Sequence, residues 1–223
     1  MYIKVNNINI HYEVSGEGKS IILLNGNQKN TSYMKSIAKI LSMDYKVYLV
    51  DRRGSGKSEL NCQLSYENSA KDIFEFIKKL KLDNPIILGH SGGGTLALYI
   101  AISYPEIVSK LIICSGVARN DIIKVPTYAK IIDKLIWYPS KKYNNKFYNL
   151  IKESKNLGKE DLNTIKCKTL IVNGTKEIVP VDEANYIHQN IKNSKLLIIK
   201  GASHSSYMIK VDWYDKLKEF IEK

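Results

Sequence analysis

Cysteine is scarce. Cys62, Cys114 and Cys167, in a chain of 223 residues, are too few and too scattered for a disulfide framework or a zinc site, and an odd number leaves one unpaired. A reducing, cytoplasmic setting is the expectation. Long apolar runs are missing as well: nothing approaches the roughly 18 uninterrupted residues that a membrane span needs. Residues 1–14 alternate polar and apolar instead of placing an apolar core behind a basic start. Neither a transmembrane helix nor a cleaved signal peptide is expected. Arginine is nearly absent, with Arg52, Arg53 and Arg119 the three in the chain. Lys and Arg number 34 against 22 acidic residues, a net charge of +12, yet the lysines come singly or in pairs, as at Lys78 and Lys79. No basic block of about five to eight residues marks a phosphate-binding patch. The excess reads as a solvated lysine-rich surface, and neither nucleic acid nor membrane is expected as a partner. Oligomeric state is not legible.

Internal repeats, Gly/Ser linkers and low-complexity blocks are also lacking. With 44% apolar positions, the chain suits one globular domain with room for an insertion. Residues 2–5 and 8–14 alternate around Asn6-Asn7, the pattern of a two-stranded hairpin. Beyond them, 21–24, 47–50, 86–88, 111–113, 170–172 and 196–199 are short, nearly continuous apolar runs, which suit strands buried on both faces. Segments 33–41, 66–80, 95–103, 182–191 and 211–221 carry helical spacing, as in Ile73, Phe74, Ile77 and Leu80. Strands alternating with helices predict an α/β fold, a mostly parallel wound sheet with flanking helices. The alternation lapses between 113 and 170. We therefore expect a core of 1–119 and 167–223 and a short helical cap insertion at 120–166.

Gly89-His90-Ser91-Gly92-Gly93 follows an apolar run and precedes a helical segment. This is G-x-S-x-G in strand–turn–helix context, which lifts the serine hydroxyl to the carboxyl edge of the sheet. The helix start aims free N–H groups at charge developing beside Ser91. Serine is a weak nucleophile that needs a base, itself oriented by an acid. Of His11, His90, His188 and His204, only His204 lies in a loop closely following an apolar strand, so it is the candidate base. Glu177 lies past the strand ending at Asn173-Gly174, on the same edge, and is the candidate acid; Asp182, five positions on, is the alternative, or else a helix cap. The oxyanion needs two donors, for which the backbone N–H groups of Gly92 and Asn27 are the candidates. Gly56-Lys57-Ser58 looks like the end of a phosphate-binding loop, but Asp51 occupies the position where that motif needs glycine. Asp51 is expected instead to pair with Arg53.

Together these residues resemble the α/β-hydrolase fold superfamily, in particular its small lipase- and esterase-like bacterial members. Leu23-Leu24-Asn25-Gly26 resembles the family's Leu-Leu-His-Gly oxyanion strand, and 51–58 its D-x-R-G-x-G-x-S loop. Residues 89–93 form the elbow. Leu170-Ile171-Val172-Asn173-Gly174 with Glu177, Val179 and Pro180 resembles the G-x-x-D-x-x-V-P acid loop, and Gly201-Ala202-Ser203-His204 the histidine loop. The likeness covers nearly the whole chain except 120–166. Three departures stand out: Asn25 replaces histidine, Glu177 replaces aspartate in a loop one residue short, and the cap is short, which suggests a small or open acyl pocket.

The resemblance implies a serine esterase acting on a small acyl substrate through an acyl-enzyme, with no metal or organic cofactor. Tyr128, Trp137 and Phe147 are candidates to line the acyl site, or else to pack the cap on the core. Acyl transfer, perhydrolysis, cleavage of small amides, and a catalytically silent ligand-binding role are the alternatives, because fold and triad do not fix the acceptor.

Overall fold

The computed structural model describes residues 1–27, 31–122, 149–151, 153–209 and 212–223. Eight strands form one sheet: β1 (Tyr2–Val5), β2 (Ile8–Ser15), β3 (Ser20–Leu24), β4 (Lys46–Val50), β5 (Ile86–His90), β6 (Lys110–Cys114), β7 (Lys168–Lys176) and β8 (Ser194–Ser203). Their spatial order is β1-β2-β4-β3-β5-β6-β7-β8. β1 and β2 are antiparallel, β2 pairs antiparallel with β4, and β3 to β8 run parallel. Asn6 and Asn7 turn the opening hairpin with φ of 46° and 61°, the left-handed pair that a tight hairpin turn needs and that asparagine tolerates.

Because side chains alternate along a strand, each apolar run feeds two cores. Ile22, Leu24, Ile87, Leu111 and Ile113 pack with α2 (Tyr66–Lys79), α3 (Gly92–Ser103) and α5 (Val181–Asn190). Ile21, Leu23, Leu88, Ile112 and Val172 pack on the other face with α1 (Lys35–Leu41), α6 (Ser206–Ile209) and α7 (Tyr214–Glu222). Each such fully buried aliphatic side chain contributes about 1.5–3 kcal/mol. Every residue of α3 from Gly92 to Ala101 is buried, so this helix is covered all round. Ser65 caps α2, its hydroxyl accepting from the Asn68 amide at 3.0 Å.

From β3 the chain passes through α1 to β4 on one side, then crosses over through α2 to β5 on the other. The order reverses at β3 and β5, and a crevice opens at the carboxyl ends of the strands at such a point. Helix boundaries differ from the pattern-based expectation in three places. A 3-10 turn, Thr31–Met34, precedes α1; α3 begins at Gly92, earlier than expected because three glycines carry no helical signal of their own; and the last helix begins at Tyr214. Of the insertion 120–166, a 3-10 turn at Asn120–Ile122 and α4 (Lys159–Asn163) are described, while 123–148 lie outside the described residues. Among the described residues no helix is long and apolar enough to cross a membrane.

Asp51 does not pair with Arg53. Its carboxylate takes His11 Nδ1 at 2.9 Å and the amides of Thr31 and Lys57 at 3.0 and 3.1 Å. Arg53 instead makes a two-pronged bond to Asp72 on α2, at 2.6 and 2.7 Å. A carboxylate buried among backbone N–H groups has no need of a cation, and the guanidinium fork matches the two oxygens of Asp72.

Candidate active site

Ser91 sits between β5 and α3 with φ 55° and ψ −123°, a conformation that costs a non-glycine residue about 1–3 kcal/mol. Neighbouring structure holds it there. Its amide donates to the Cys114 carbonyl at 2.7 Å, and its carbonyl accepts from Thr95 at 3.0 Å. A side chain on Gly89 would meet the Gly93 carbonyl oxygen at 2.1 Å, so the strand can fold back on the helix only with glycine there.

The two other long-range candidates arrive from separate strands. Glu177 directly follows β7 and His204 directly follows β8. His204 Nε2 lies 2.9 Å from Ser91 Oγ, and His204 Nδ1 lies 2.6 Å from Glu177 Oε2. The imidazole is 24% exposed and the Glu177 side chain 1%, so the base faces the crevice while the acid is covered. Asp182 lies exposed in the first turn of α5; it neither caps that helix, where Pro180 holds the cap position, nor takes the place of Glu177 beside the imidazole.

Between β5 and β7 lies β6, and the residue after it fills the gap. Ser115, with φ 48°, donates its hydroxyl to Glu177 Oε1 at 2.5 Å and is hydrogen-bonded to the Tyr207 hydroxyl. Burial pushes the Glu177 carboxyl upward in pKa. The hydrogen bond and charge of His204, with the Ser115 and Tyr207 donors, outweigh burial and leave it below the ordinary glutamate value. Burial pushes the Tyr207 hydroxyl well up, and the Cys114 thiol likewise. Tyr207 therefore stays a donor.

Asn27 and Gly92 stand side by side. The Asn27 carboxamide lies over the Gly92 backbone, its Oδ1 accepting from Arg52 Nη2 at 2.9 Å and its Nδ2 donating to Tyr66 Oη at 3.4 Å. Asn25, where the family has histidine, is buried and donates to Ser55 Oγ at 3.3 Å, joining the β3 loop to the Asp51 loop. The remaining histidines are engaged elsewhere: His11 with Asp51, and His188 with Ser194 Oγ at 2.8 Å. His90 lies beneath the site, with Nε2 2.5 Å from the His204 carbonyl oxygen. Tyr128, Trp137 and Phe147 lie outside the described residues. Among the described residues no three His, Cys, Asp or Glu side chains converge to hold a metal ion.

Ser115, Tyr207, Tyr33, His90 and Arg52 were not legible as partners of these groups. Ser115 alone carried a signal, since it follows an apolar strand at the same sheet edge as Ser91 and Glu177. The others meet the site through contacts across many residues of chain.

The family model for the alpha/beta hydrolase fold matches residues 19–135, and this chain belongs to that family. The human protein "Serine hydrolase BPHL" is 26% identical over 245 residues, covering 97% of this chain and 84% of the relative. A proline iminopeptidase of Saccharolobus solfataricus is 25% identical over 289 residues, covering all of this chain and 92% of the relative. Among solved structures, an enol-lactonase from Burkholderia xenovorans shares the fold with a TM-score of 0.85 at 19% identity, covering 100% of both chains.

Proposed function

We propose that the protein is a serine hydrolase that cleaves small carboxylic esters through an acyl-enzyme. The observation that carries this reading is the unbroken chain of hydrogen bonds from Ser91 Oγ to His204 at 2.9 Å and from His204 to Glu177 at 2.6 Å. His204 takes the Ser91 proton as the hydroxyl oxygen attacks the substrate carbonyl, and the Asn27 and Gly92 amides receive the negative oxygen. The imidazolium returns its proton to the leaving alcohol. Water, activated by His204, then attacks the acyl-enzyme and frees the acid, with Glu177 stabilising the imidazolium in both halves.

Residues 120–166 enter this proposal as the cap insertion, with Tyr128, Trp137 and Phe147, which lie outside the described residues, as candidates to line the acyl site or else to pack the cap on the core. Cys62, Cys114 and Cys167 are thiols rather than disulfides, which fits a reducing, cytoplasmic setting. A series of p-nitrophenyl esters of increasing acyl length, run beside fluorophosphonate labelling, tests the reading. Turnover that falls with chain length supports a small acyl pocket, and a chain inert to both reagents sinks the proposal. Amide cleavage is the second reading, favoured by the relative that is a proline iminopeptidase; release of an aminoacyl amide faster than any ester would replace the first. Adding a competing alcohol, amine or peroxide separates hydrolysis from acyl transfer and perhydrolysis.

A further inference from the structure

His90 occupies the variable position of the elbow and is buried to 2% exposure. Its ring centroid lies 5.4 Å from that of Tyr33 and 4.8 Å from that of His204. Both ring nitrogens are engaged. Nε2 meets the His204 carbonyl oxygen at 2.5 Å, and Nδ1 meets Tyr33 Oη at 3.0 Å. Tyr33 Oη in turn accepts the Gly26 amide at 2.6 Å.

With a neutral His90 the protons along this chain have one consistent arrangement. A carbonyl oxygen carries no hydrogen, so Nε2 must donate to it. In a neutral imidazole the other nitrogen is then an acceptor, so the Tyr33 hydroxyl must donate to Nδ1. The hydroxyl's lone pair is left to receive the Gly26 N–H. Burial pushes the Tyr33 pKa up, which keeps the phenol protonated wherever the enzyme works. Gly26 precedes Asn27, and His204 is the base, so this chain links the two loops whose separation sets the reacting geometry. Those loops leave β3 and β8, with β5, β6 and β7 lying between them in the sheet.

We propose that Tyr33 and His90 are positioning residues: a directional hydrogen-bonded brace that fixes the backbone of His204 against the loop carrying the Asn27 amide. The proposal rests on the triad reading above. Glu177 orients the imidazole about its own bonds, whereas the brace sets where the residue's backbone stands. A displacement of about 1 Å at such a group can cost on the order of 10²-fold in rate.

Amide side chains separate the two ends of the brace. Glutamine places its N–H₂ group near the position of Nε2 and can still donate to the His204 carbonyl. Asparagine reaches only the Nδ1 end, and leucine reaches neither. For His90→Gln, His90→Asn, His90→Leu and Tyr33→Phe, kcat and KM for p-nitrophenyl acetate and the rate of fluorophosphonate labelling are measured together with thermal midpoints. His90→Gln keeps the bond to the His204 carbonyl but no longer accepts from Tyr33, so it is expected to match Tyr33→Phe at about a three- to tenfold loss, while His90→Asn, which releases the His204 carbonyl, loses about 10- to 100-fold in kcat and labelling rate with KM little changed. Nitrogen-15 NMR of the parent should find His90 as the Nε2–H tautomer. Equal rates for the glutamine and asparagine variants, or an Nδ1–H tautomer, overturn the brace. If His90→Leu fails to fold, the two amide variants still decide. A parent chain inert to the probe sinks the triad and the brace together, whereas a reactive parent with indifferent variants sinks the brace alone.

Discussion

The Asn27 carboxamide lies so close over Gly92 that a Cβ on Gly92 would meet Asn27 Oδ1 at 2.1 Å. Arg52 holds that oxygen from behind at 2.9 Å, so the carboxamide cannot swing away without losing a charged donor. Gly92→Ala is therefore expected to lower the thermal midpoint by a few degrees as the Arg52 bond is lost, and to drop kcat for p-nitrophenyl acetate by about 10²-fold, because the displaced Asn27 carries its amide with it. Unchanged kcat would show that the two amides do not act as a pair.

Ser91→Ala removes the proposed nucleophile and keeps the same Cβ in the same backbone conformation. Turnover of p-nitrophenyl acetate is expected to fall by at least about 10³-fold, with fluorophosphonate labelling lost and circular dichroism unaltered. Retained labelling would move the nucleophile elsewhere.

The two candidate acids differ in what they touch. Glu177 bonds His204 Nδ1 at 2.6 Å, and Asp182 lies exposed on α5. Glu177→Gln should lower kcat by about 10²- to 10⁴-fold, whereas Asp182→Asn should stay within about twofold, as exposed substitutions away from a site usually do. A reversed ranking in steady-state kinetics rejects Glu177.

Donors from His204, Ser115 and Tyr207 keep the Glu177 pKa below its ordinary value against the opposing effect of burial. A carboxyl depressed in the folded state adds stability that is fully present above the unfolded value, about 4.3, and is lost as pH falls through the folded value. Ser115→Ala removes one donor and raises the folded value toward the unfolded one. The variant should unfold at lower urea than the parent at pH 7, and the gap should narrow below pH 4. A gap independent of pH would mean that Ser115 acts through packing and not through the carboxylate.

Glu183 is buried to 0% exposure and holds four donors of the chain entering the insertion. Its carboxylate accepts the amides of Ala118 and Arg119 at 2.7 and 2.8 Å, and the Arg119 guanidinium meets it at 2.8 and 2.9 Å. Glu183→Gln keeps the shape and removes the charge facing Arg119, which is itself about one-third exposed. The expected loss is about 1–3 kcal/mol, a fall of roughly 3–10 °C in thermal midpoint. A fall under about 1 °C would show that the arginine contributes nothing.

Strands and helices were legible because their signal is local. The six apolar runs after the hairpin all became strands; five are buried on both faces, whereas residues 196–199, in the edge strand β8, are half-buried. The elbow was equally legible, because three glycines around a serine answer a steric demand within a few residues of chain. Glu177 was harder to read. Its loop is short and its side chain long, and only the His204 and Ser115 donors on its two oxygens, with Tyr207 bonded behind Ser115, account for a glutamate there. The pairing expected for Asp51 failed for a similar reason: proximity in sequence favoured Arg53, while the folded loop brought His11 and two backbone amides to the carboxylate.

By itself, then, the order of residues determined an alternating α/β chain, a serine at a strand–helix turn, and which loops end at one edge of the sheet. These follow from periodicity and backbone sterics, which act over a few residues. Tertiary structure decided which side chains meet: Ser115 on Glu177 with Tyr207 on Ser115, Arg52 on Asn27, and Tyr33 and His90 beneath His204. Such contacts depend on strand order and on burial, which give a hydrogen bond its strength only once water is excluded, and neither quantity is written in any short stretch of sequence.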